Sequence, residues 1–128
     1  VTRFIMKFQA LSILKPAVIN ILDGKKVFEI RSWTPPTIPL YNVVLVQNEK
    51  YLVSPEDEDD GLAMAIVDFT SVSPWTKEIF LKQKISTTMN KQWMPGYFLW
   101  RIENVRKIDK PKLCRAKKGI YFLDLELN

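Results

Sequence analysis

The stretch that decides the fold is residues 10–33, ALSILKPAVINILDGKKVFEIRSW. It predicts a strand over residues 8–13, a helix that begins at Pro16, a stop at Gly24 and a second strand over residues 26–32. Proline suits the first turn of a helix because its missing N–H would have no helical partner there. Glycine adopts the left-handed conformation that commonly ends a helix. The second strand then carries more polar groups than a core strand needs.

Those polar groups are the first candidate site. Alternation along the second strand places Glu29 and Arg31 on one face and Lys26 on the other. The two facing residues could simply form a surface ion pair, worth about 0–1 kcal/mol. Alternatively, Glu29 accepts an N–H of a base while Arg31 and Lys26 meet phosphate or carbonyl oxygens.

Composition excludes several classes of protein. With 128 residues the chain is expected to form one domain, and its single cysteine and lack of histidine exclude a disulfide framework, His-based triads and ordinary zinc sites. We therefore expect no metal, no cofactor and a cytoplasmic location. No apolar run approaches the ~20 residues of a membrane span, so no membrane partner is expected. Because Met6 is a candidate translation start, residues 1–6 are interpreted as a candidate leader, either disordered or foreign to the natural sequence.

Charge is unevenly distributed along the chain. The net charge is +5, with basic residues concentrated between positions 91 and 118 and acidic ones in residues 56–60. Such a basic face suits a polyanionic ligand that approaches from one side, although a solvated surface is the simpler interpretation. The acidic run does not have the spacing of a calcium loop and is predicted to be a solvated loop. Cys114 lies among lysines that could lower its pKa.

The remainder of the chain predicts mostly strands. Residues 40–47 have a continuous apolar centre and should be buried on both sides, and residues 62–72 alternate unevenly, as at a bend or bulge. Ser73 and Pro74 resemble the start of a second helix. Two final strands cover residues 96–108 and 119–127. We therefore predict the α+β class: a small β-barrel of about five to six strands with two flanking helices.

A family resemblance is carried by two groups of residues. The first is Leu11-Ser12-Ile13, then Pro16, then a Gly-x-Lys-x-x-Glu-x-Arg pattern with a tryptophan two residues after it, filled by Gly24, Lys26, Glu29, Arg31 and Trp33. The second is the late strand with Tyr97, Trp100, Asn104 and Val105, followed by Gly119. Together they resemble the ASCH domain, a branch of the PUA-like superfamily, over nearly the whole chain.

The resemblance implies a single ASCH/PUA-like domain over residues 1–128, with a cleft lined by the Gly-x-Lys-x-x-Glu-x-Arg strand. Its implied function is binding of RNA or a nucleotide. Some bacterial members resemble acylcytidine amidohydrolases, and others have been described as ribonucleases, so a small hydrolase acting on a modified nucleoside or on RNA is the alternative. In amidohydrolase-type members a threonine nucleophile occupies the position of Glu29, and this replacement weakens the deacylase interpretation. Asp68 is the nearest candidate for their later carboxylate.

The expected site follows from these two interpretations. If the protein is an enzyme, Lys26 handles the proton and Glu29 is the general base. The residues expected to bind RNA or a modified nucleoside or nucleotide are Lys15, Lys26, Glu29, Arg31, Trp33, Tyr97 and Arg101. Whether any chemistry occurs, and which protein partners exist, stays open at this point.

Overall fold

The computed structural model describes residues 4–127, which form six strands and three short helices. In chain order the elements are β1 (Phe4–Leu14), α1 (Ala17–Leu22), β2 (Phe28–Arg31), β3 (Leu40–Asn48), β4 (Glu58–Pro74), α2 (Lys77–Lys82), α3 (Ile85–Thr88), β5 (Phe98–Lys117) and β6 (Ile120–Leu127). Six strands agree with the prediction, whereas the third helix was not predicted. Within residues 4–127, no helix is long and apolar enough to cross a membrane.

All six strands belong to one curved sheet, a half-barrel consistent with a small β-barrel, in the order β2-β5-β4-β3-β1-β6. β1 and β3 pair in parallel, and the other neighbours are antiparallel. Residues 4–6, expected to belong to a leader, lie in β1 and pair with residues 125–127 of β6. Residues 1–3 of that expected leader lie outside the described residues.

The first helix begins and ends where Pro16 and Gly24 predict. Pro16 occupies the N-cap position of α1, and Gly24 follows the helix with φ +76°, the left-handed conformation that glycine adopts most easily. The Gly24 N–H donates to the carbonyl of Ile21 at 3.1 Å and so ends the helix. The apolar side of α1 packs on the main core through Ala17, Val18 and Ile21.

The core uses both faces of the central strands. Val43 and Leu45 of β3 pack with Trp100 in one cluster, while Val44 and Val46 belong to a second cluster on the opposite face. All four β3 residues are fully buried, which confirms the prediction of a strand covered on both sides. Fully burying such a side chain stabilises the fold by about 1.5–3 kcal/mol.

Two β-bulges bend the sheet at Asp68, which confirms the irregularity predicted in the long strand. The register between β4 and β5 shifts next to Asn104, and that between β3 and β4 shifts next to Asn42. Both asparagines have positive φ, 52° and 58°. Asp68 holds both bulges, because it accepts hydrogen bonds from the Asn42 N–H at 2.9 Å and the Asn104 side chain at 2.8 Å, and Arg106 donates to it at 2.8 Å.

The second helix begins later than predicted. Ser73 and Pro74 end β4 and pair with β5, so they do not cap a helix. The strand continues because the buried Trp75 donates its backbone N–H to the carbonyl of Tyr97 at 2.9 Å. Thr76 is the true N-cap of α2, and its hydroxyl accepts from the Ile79 N–H at 3.2 Å.

The acidic run is only partly the solvated loop that its composition predicts: residues 56 and 57 lie in the loop, whereas residues 58–60 begin β4. In the sheet, Glu58 lies opposite Lys117 and Asp60 opposite Arg115 of β5. Arg115 lies 2.6 Å from Asp60, for example. β5 therefore continues well past residue 108, where the sequence predicted that the strand ends.

Candidate functional site

A cleft of about 1040 Å³ opens beside β2. Its walls come from the end of β1, residues 26–33, the loop after β3, the segment after α3 and the turn between β5 and β6. Six of the predicted site residues line it: Lys15, Lys26, Glu29, Arg31, Trp33 and Tyr97. Segments far apart in sequence therefore meet around the Gly-x-Lys-x-x-Glu-x-Arg stretch.

The floor of the cleft contains a buried line of charges. The Arg31 guanidinium donates through Nε to Glu29 Oε2 at 2.8 Å, and its Nη2 lies 2.7 Å from the same oxygen. Lys26 Nζ lies 3.6 Å from the other oxygen, Oε1. Lys26 and Glu29 are 3% and 6% exposed, so these charges are held almost out of water.

The alternation rule misplaced Lys26. Residues 26 and 27 precede β2, which begins at Phe28, so strand alternation does not govern the direction of the Lys26 side chain. Lys26 instead turns to the same carboxylate as Arg31 and donates to the backbone carbonyl of Thr87. Arg31 Nη2 also donates to the carbonyl of Ser12 at 2.8 Å. The charged line thus ties β2 to β1 on one side and to α3 on the other.

Burial and the neighbouring charges set the protonation of this floor. Burial raises the pKa of Glu29, but Arg31 and Lys26 outweigh it and hold that pKa below its ordinary value. Burial lowers the pKa of Lys26, an effect that the Glu29 carboxylate partly offsets. Glu29 is therefore an anion near neutral pH, and Lys26 gives up its proton more readily than a surface lysine.

The floor can offer a ligand an acceptor beside a donor. Arg31 occupies Glu29 Oε2, whereas the 3.6 Å from Oε1 to Lys26 Nζ is longer than a hydrogen bond, so Oε1 keeps capacity to accept an N–H. Lys26 carries three N–H donors and gives one to Thr87. A ligand edge that carries an N–H next to a carbonyl or ring nitrogen matches this pair. A phosphate at the same place would meet the Glu29 anion.

Two aromatic side chains flank the floor. Trp33 lies edge-on to the buried Trp100, with ring centroids 4.8 Å apart. Tyr97 packs on the buried Trp75 at 6.2 Å, and Lys91 lies 4.5 Å above the Tyr97 ring. Both rings are only partly buried and line the cleft, so packing on the core fixes their positions while part of each faces the ligand space.

Cations surround the mouth of the cleft. Lys15 is exposed and lies 3.9 Å from Glu49, a loose surface pair. Four further lysines line the cleft: Lys50, Lys91, Lys117 and Lys118. The last three were predicted only as part of a basic region, and Lys50 was not singled out. The exposed Tyr51 also lines the cleft and was missed. No local sequence pattern identifies these residues as part of a site. Only their position in space near residues 26–33 does.

Two predicted residues lie elsewhere. Arg101 is on β5 outside the cleft, where it pairs across the sheet with Phe28, lies 5.4 Å from that ring and 3.8 Å from Glu103. Its position in β5 directs the side chain away from the ligand space. Asp68 is also outside the cleft lining, and its oxygens are occupied by the two bulges and Arg106.

Neither the cysteine nor the possible metal ligands among residues 4–127 support a further kind of chemistry. Burial raises the pKa of the Cys114 thiol, contrary to the lowering expected from neighbouring lysines. Within residues 4–127, no three His, Cys, Asp or Glu side chains are grouped so as to hold a metal ion.

Comparison with known families gives one result. The model of the ASCH domain matches residues 11–112, most of the chain and all of the cleft floor. The protein belongs to the ASCH-domain family. Membership is consistent with a nucleic-acid-associated or RNA-related module. A search of curated proteins gives no match. In this ASCH domain, the Gly-x-Lys-x-x-Glu-x-Arg pattern is the segment that builds the charged floor between β1, β2 and α3.

Proposed function

We propose that this ASCH domain binds RNA or a nucleotide, with a base on the charged floor and phosphate at the lysine-rich mouth. The observation that carries the proposal is the pairing of a buried anionic acceptor, Glu29, with a buried donor, Lys26, inside a cleft whose mouth is cationic. Bases carry N–H and acceptor groups on one edge, and phosphates favour ammonium groups. The half-barrel also supports assignment to the PUA-like superfamily as part of this proposal.

The polarity of the cleft sets the orientation of the ligand. Glu29 disfavours an anion on the floor, whereas the mouth lysines neutralise phosphate. Trp33 and Tyr97 offer ring faces at the sides of the floor, where stacking on a base is worth about 1–3 kcal/mol. The ligand therefore enters base first, and affinity divides into a base-dependent part and a salt-dependent part.

Titration of short single-stranded RNA and of the four nucleoside monophosphates, followed by calorimetry, tests the proposal. Glu29→Gln keeps the shape but removes the anion, and we expect RNA affinity to fall about tenfold, the loss typical of a charge-assisted hydrogen bond. If three phosphates are neutralised, log K falls with log salt concentration with a slope of about −2. The matched control is Lys110→Ala, an exposed lysine outside the cleft, which should leave base preference unchanged.

Absence of binding at low salt, or affinity that is the same in wild type and Glu29→Gln, would reject the proposal.

A second candidate function is hydrolysis of an acylated nucleoside or of RNA. The observation that favours it is the buried Lys26, whose pKa is lowered by burial, as a proton-handling lysine requires. Against it, Arg31 holds the pKa of Glu29 low, which makes this carboxylate a weak general base. Incubation with acylated nucleosides and short RNAs tests it: turnover should disappear in Glu29→Gln, and turnover that persists there would reject Glu29 as the base.

A further inference from the structure

A second aromatic position lies at the mouth of the cleft. Tyr51 is in the loop between β3 and β4, is 71% exposed and lines the cleft. Its ring has no aromatic or cationic partner among residues 4–127, unlike Trp33 and Tyr97, which pack on the core. An exposed ring at the entrance of the cleft is free to contact a ligand, because packing of the fold does not occupy it.

The loop that carries Tyr51 is built to hold a fixed shape. Asp57 accepts hydrogen bonds from the backbone N–H groups of Val53 at 2.8 Å and Ser54 at 3.0 Å, and from the Ser54 hydroxyl. These bonds lower the pKa of Asp57 to about 2. Asp59 accepts from the N–H groups of Glu49 at 3.1 Å and Lys50 at 2.8 Å. Tyr51 therefore lies between two turns that are stabilised by hydrogen bonds to the carboxylates of Asp57 and Asp59.

The same loop is linked to the basic end of β5. Lys118 donates to the carbonyl of Val53 at 2.7 Å, which brings an ammonium group to the loop, and the adjacent Lys117 also lines the cleft. Lys50 precedes Tyr51 directly and is exposed. An exposed ring among cations that line the same cleft is an arrangement with which proteins hold successive nucleotides of a single strand.

The size of the cleft agrees with more than one nucleotide. Its volume of about 1040 Å³ lies at the upper end of the roughly 300–1,000 Å³ typical of pockets that hold one drug-sized ligand. Residues 50–53 line the same cleft as the charged floor, so the cleft extends from the floor to the loop that carries Tyr51. The volume, the ring and the cations thus point to an extended ligand.

We propose that Tyr51 is a second stacking position, on which the base next to the one in the cleft stacks, so that the ligand is a single-stranded oligonucleotide of at least two nucleotides. This inference rests on the proposed function and specifies its ligand class. Lys50, Lys117 and Lys118 neutralise the phosphates between and beyond the two bases. A free nucleoside or mononucleotide, with its base on the floor, supplies no second base for Tyr51.

Binding of ligands of increasing length tests this inference. Calorimetric or anisotropy titrations compare a mononucleotide, a dinucleotide and a hexanucleotide of the same base, at one salt concentration, in wild type and Tyr51→Ala. We expect the oligonucleotides to bind wild type more tightly than the mononucleotide. Tyr51→Ala should weaken the oligonucleotides by about 5- to 150-fold, the range for loss of one base–aromatic stack, and leave the mononucleotide unchanged. Tyr51→Phe keeps the ring and should retain affinity.

Tyr41→Ala is the matched control, because Tyr41 is 58% exposed but does not line the cleft. This variant should change the affinity for neither the mononucleotide nor the oligonucleotides. Equal affinity for mononucleotide and hexanucleotide, or equal oligonucleotide affinity in wild type and Tyr51→Ala, would overturn the second position while leaving the proposed function standing. Absence of binding to all three ligands would overturn both. Since Tyr51 is exposed, its removal is not expected to unfold the protein, and a thermal melt checks this.

Discussion

Removal of the Arg31 guanidinium tests the buried line of charges most directly. Arg31→Met keeps an unbranched side chain of similar length but removes both contacts to Glu29 Oε2 and the hydrogen bond to the Ser12 carbonyl. Glu29 is then buried with only Lys26 at 3.6 Å. Breaking a buried pair from one side costs about 3–5 kcal/mol, because an uncompensated charge is left out of water. The Arg31 side chain is 23% exposed, so we expect a loss near 3 kcal/mol.

The loss should depend on pH in a specific direction. In wild type the lowered pKa of Glu29 stabilises the fold above about pH 4.3, its unfolded value, and this contribution is lost as pH falls. Without Arg31, burial dominates and raises the pKa of Glu29 above that value. The variant therefore loses stability as pH rises through the window above about 4.3. The gap between the two proteins is largest at neutral pH and shrinks on acidification.

Urea unfolding of both proteins at several values between pH 5 and 7.5 measures this gap. The control is Arg101→Met, an exposed arginine 3.8 Å from Glu103, for which we expect about 0–1 kcal/mol and little pH dependence. A loss below about 1 kcal/mol for Arg31→Met, or one that is equal at pH 5 and 7.5, would refute the reasoning, because it would place Glu29 in a solvated environment.

Two further predictions concern the packing of the sheet and the thiol. Gly61→Ala would place a Cβ 2.5 Å from Val46 Cγ1 and 3.3 Å from the Ala116 backbone nitrogen, so we expect about 1–3 kcal/mol of destabilisation in urea unfolding; unchanged stability would contradict this crowding. Burial raises the pKa of Cys114, so iodoacetamide at pH 7.5 should modify the folded protein several-fold more slowly than the urea-unfolded chain. Equal or faster modification when folded would show that the thiol is accessible and activated.

The sequence predicted best those elements whose signals are local. Pro16 and Gly24 punctuate α1, and the apolar run of β3 can only be a strand buried on both faces. These two inferences needed only neighbouring residues. The family resemblance, not local alternation, grouped Lys26 with Glu29 and Arg31, and the structure brings their charged groups together.

The predictions that failed concern segments whose local structure depends on a residue or strand distant in sequence. Ser73 and Pro74 have good helix-capping residue types, yet pairing with β5 keeps them in the sheet. The sequence predicted a strand end at residue 108, but β5 continues beyond it, with an irregularity opposite β4 between the pairs formed by Lys107 and Lys112. No periodic pattern in the sequence marks Tyr51. It lies at the cleft on a loop whose shape is held by hydrogen bonds to Asp57 and Asp59.

The charged floor itself favours binding over hydrolysis. A carboxylate activates water well when its pKa lies near the working pH, whereas Arg31 and Lys26 hold the pKa of Glu29 below its ordinary value. The same two cations also connect Glu29 to the Ser12 and Thr87 carbonyls, so the carboxylate is fixed between β1 and α3. A fixed carboxylate whose pKa is lowered takes up a proton poorly and accepts a hydrogen bond from an N–H donor well. The resemblance places a threonine nucleophile at this position in amidohydrolase-type members, and under the proposed function Glu29 recognises an N–H donor instead.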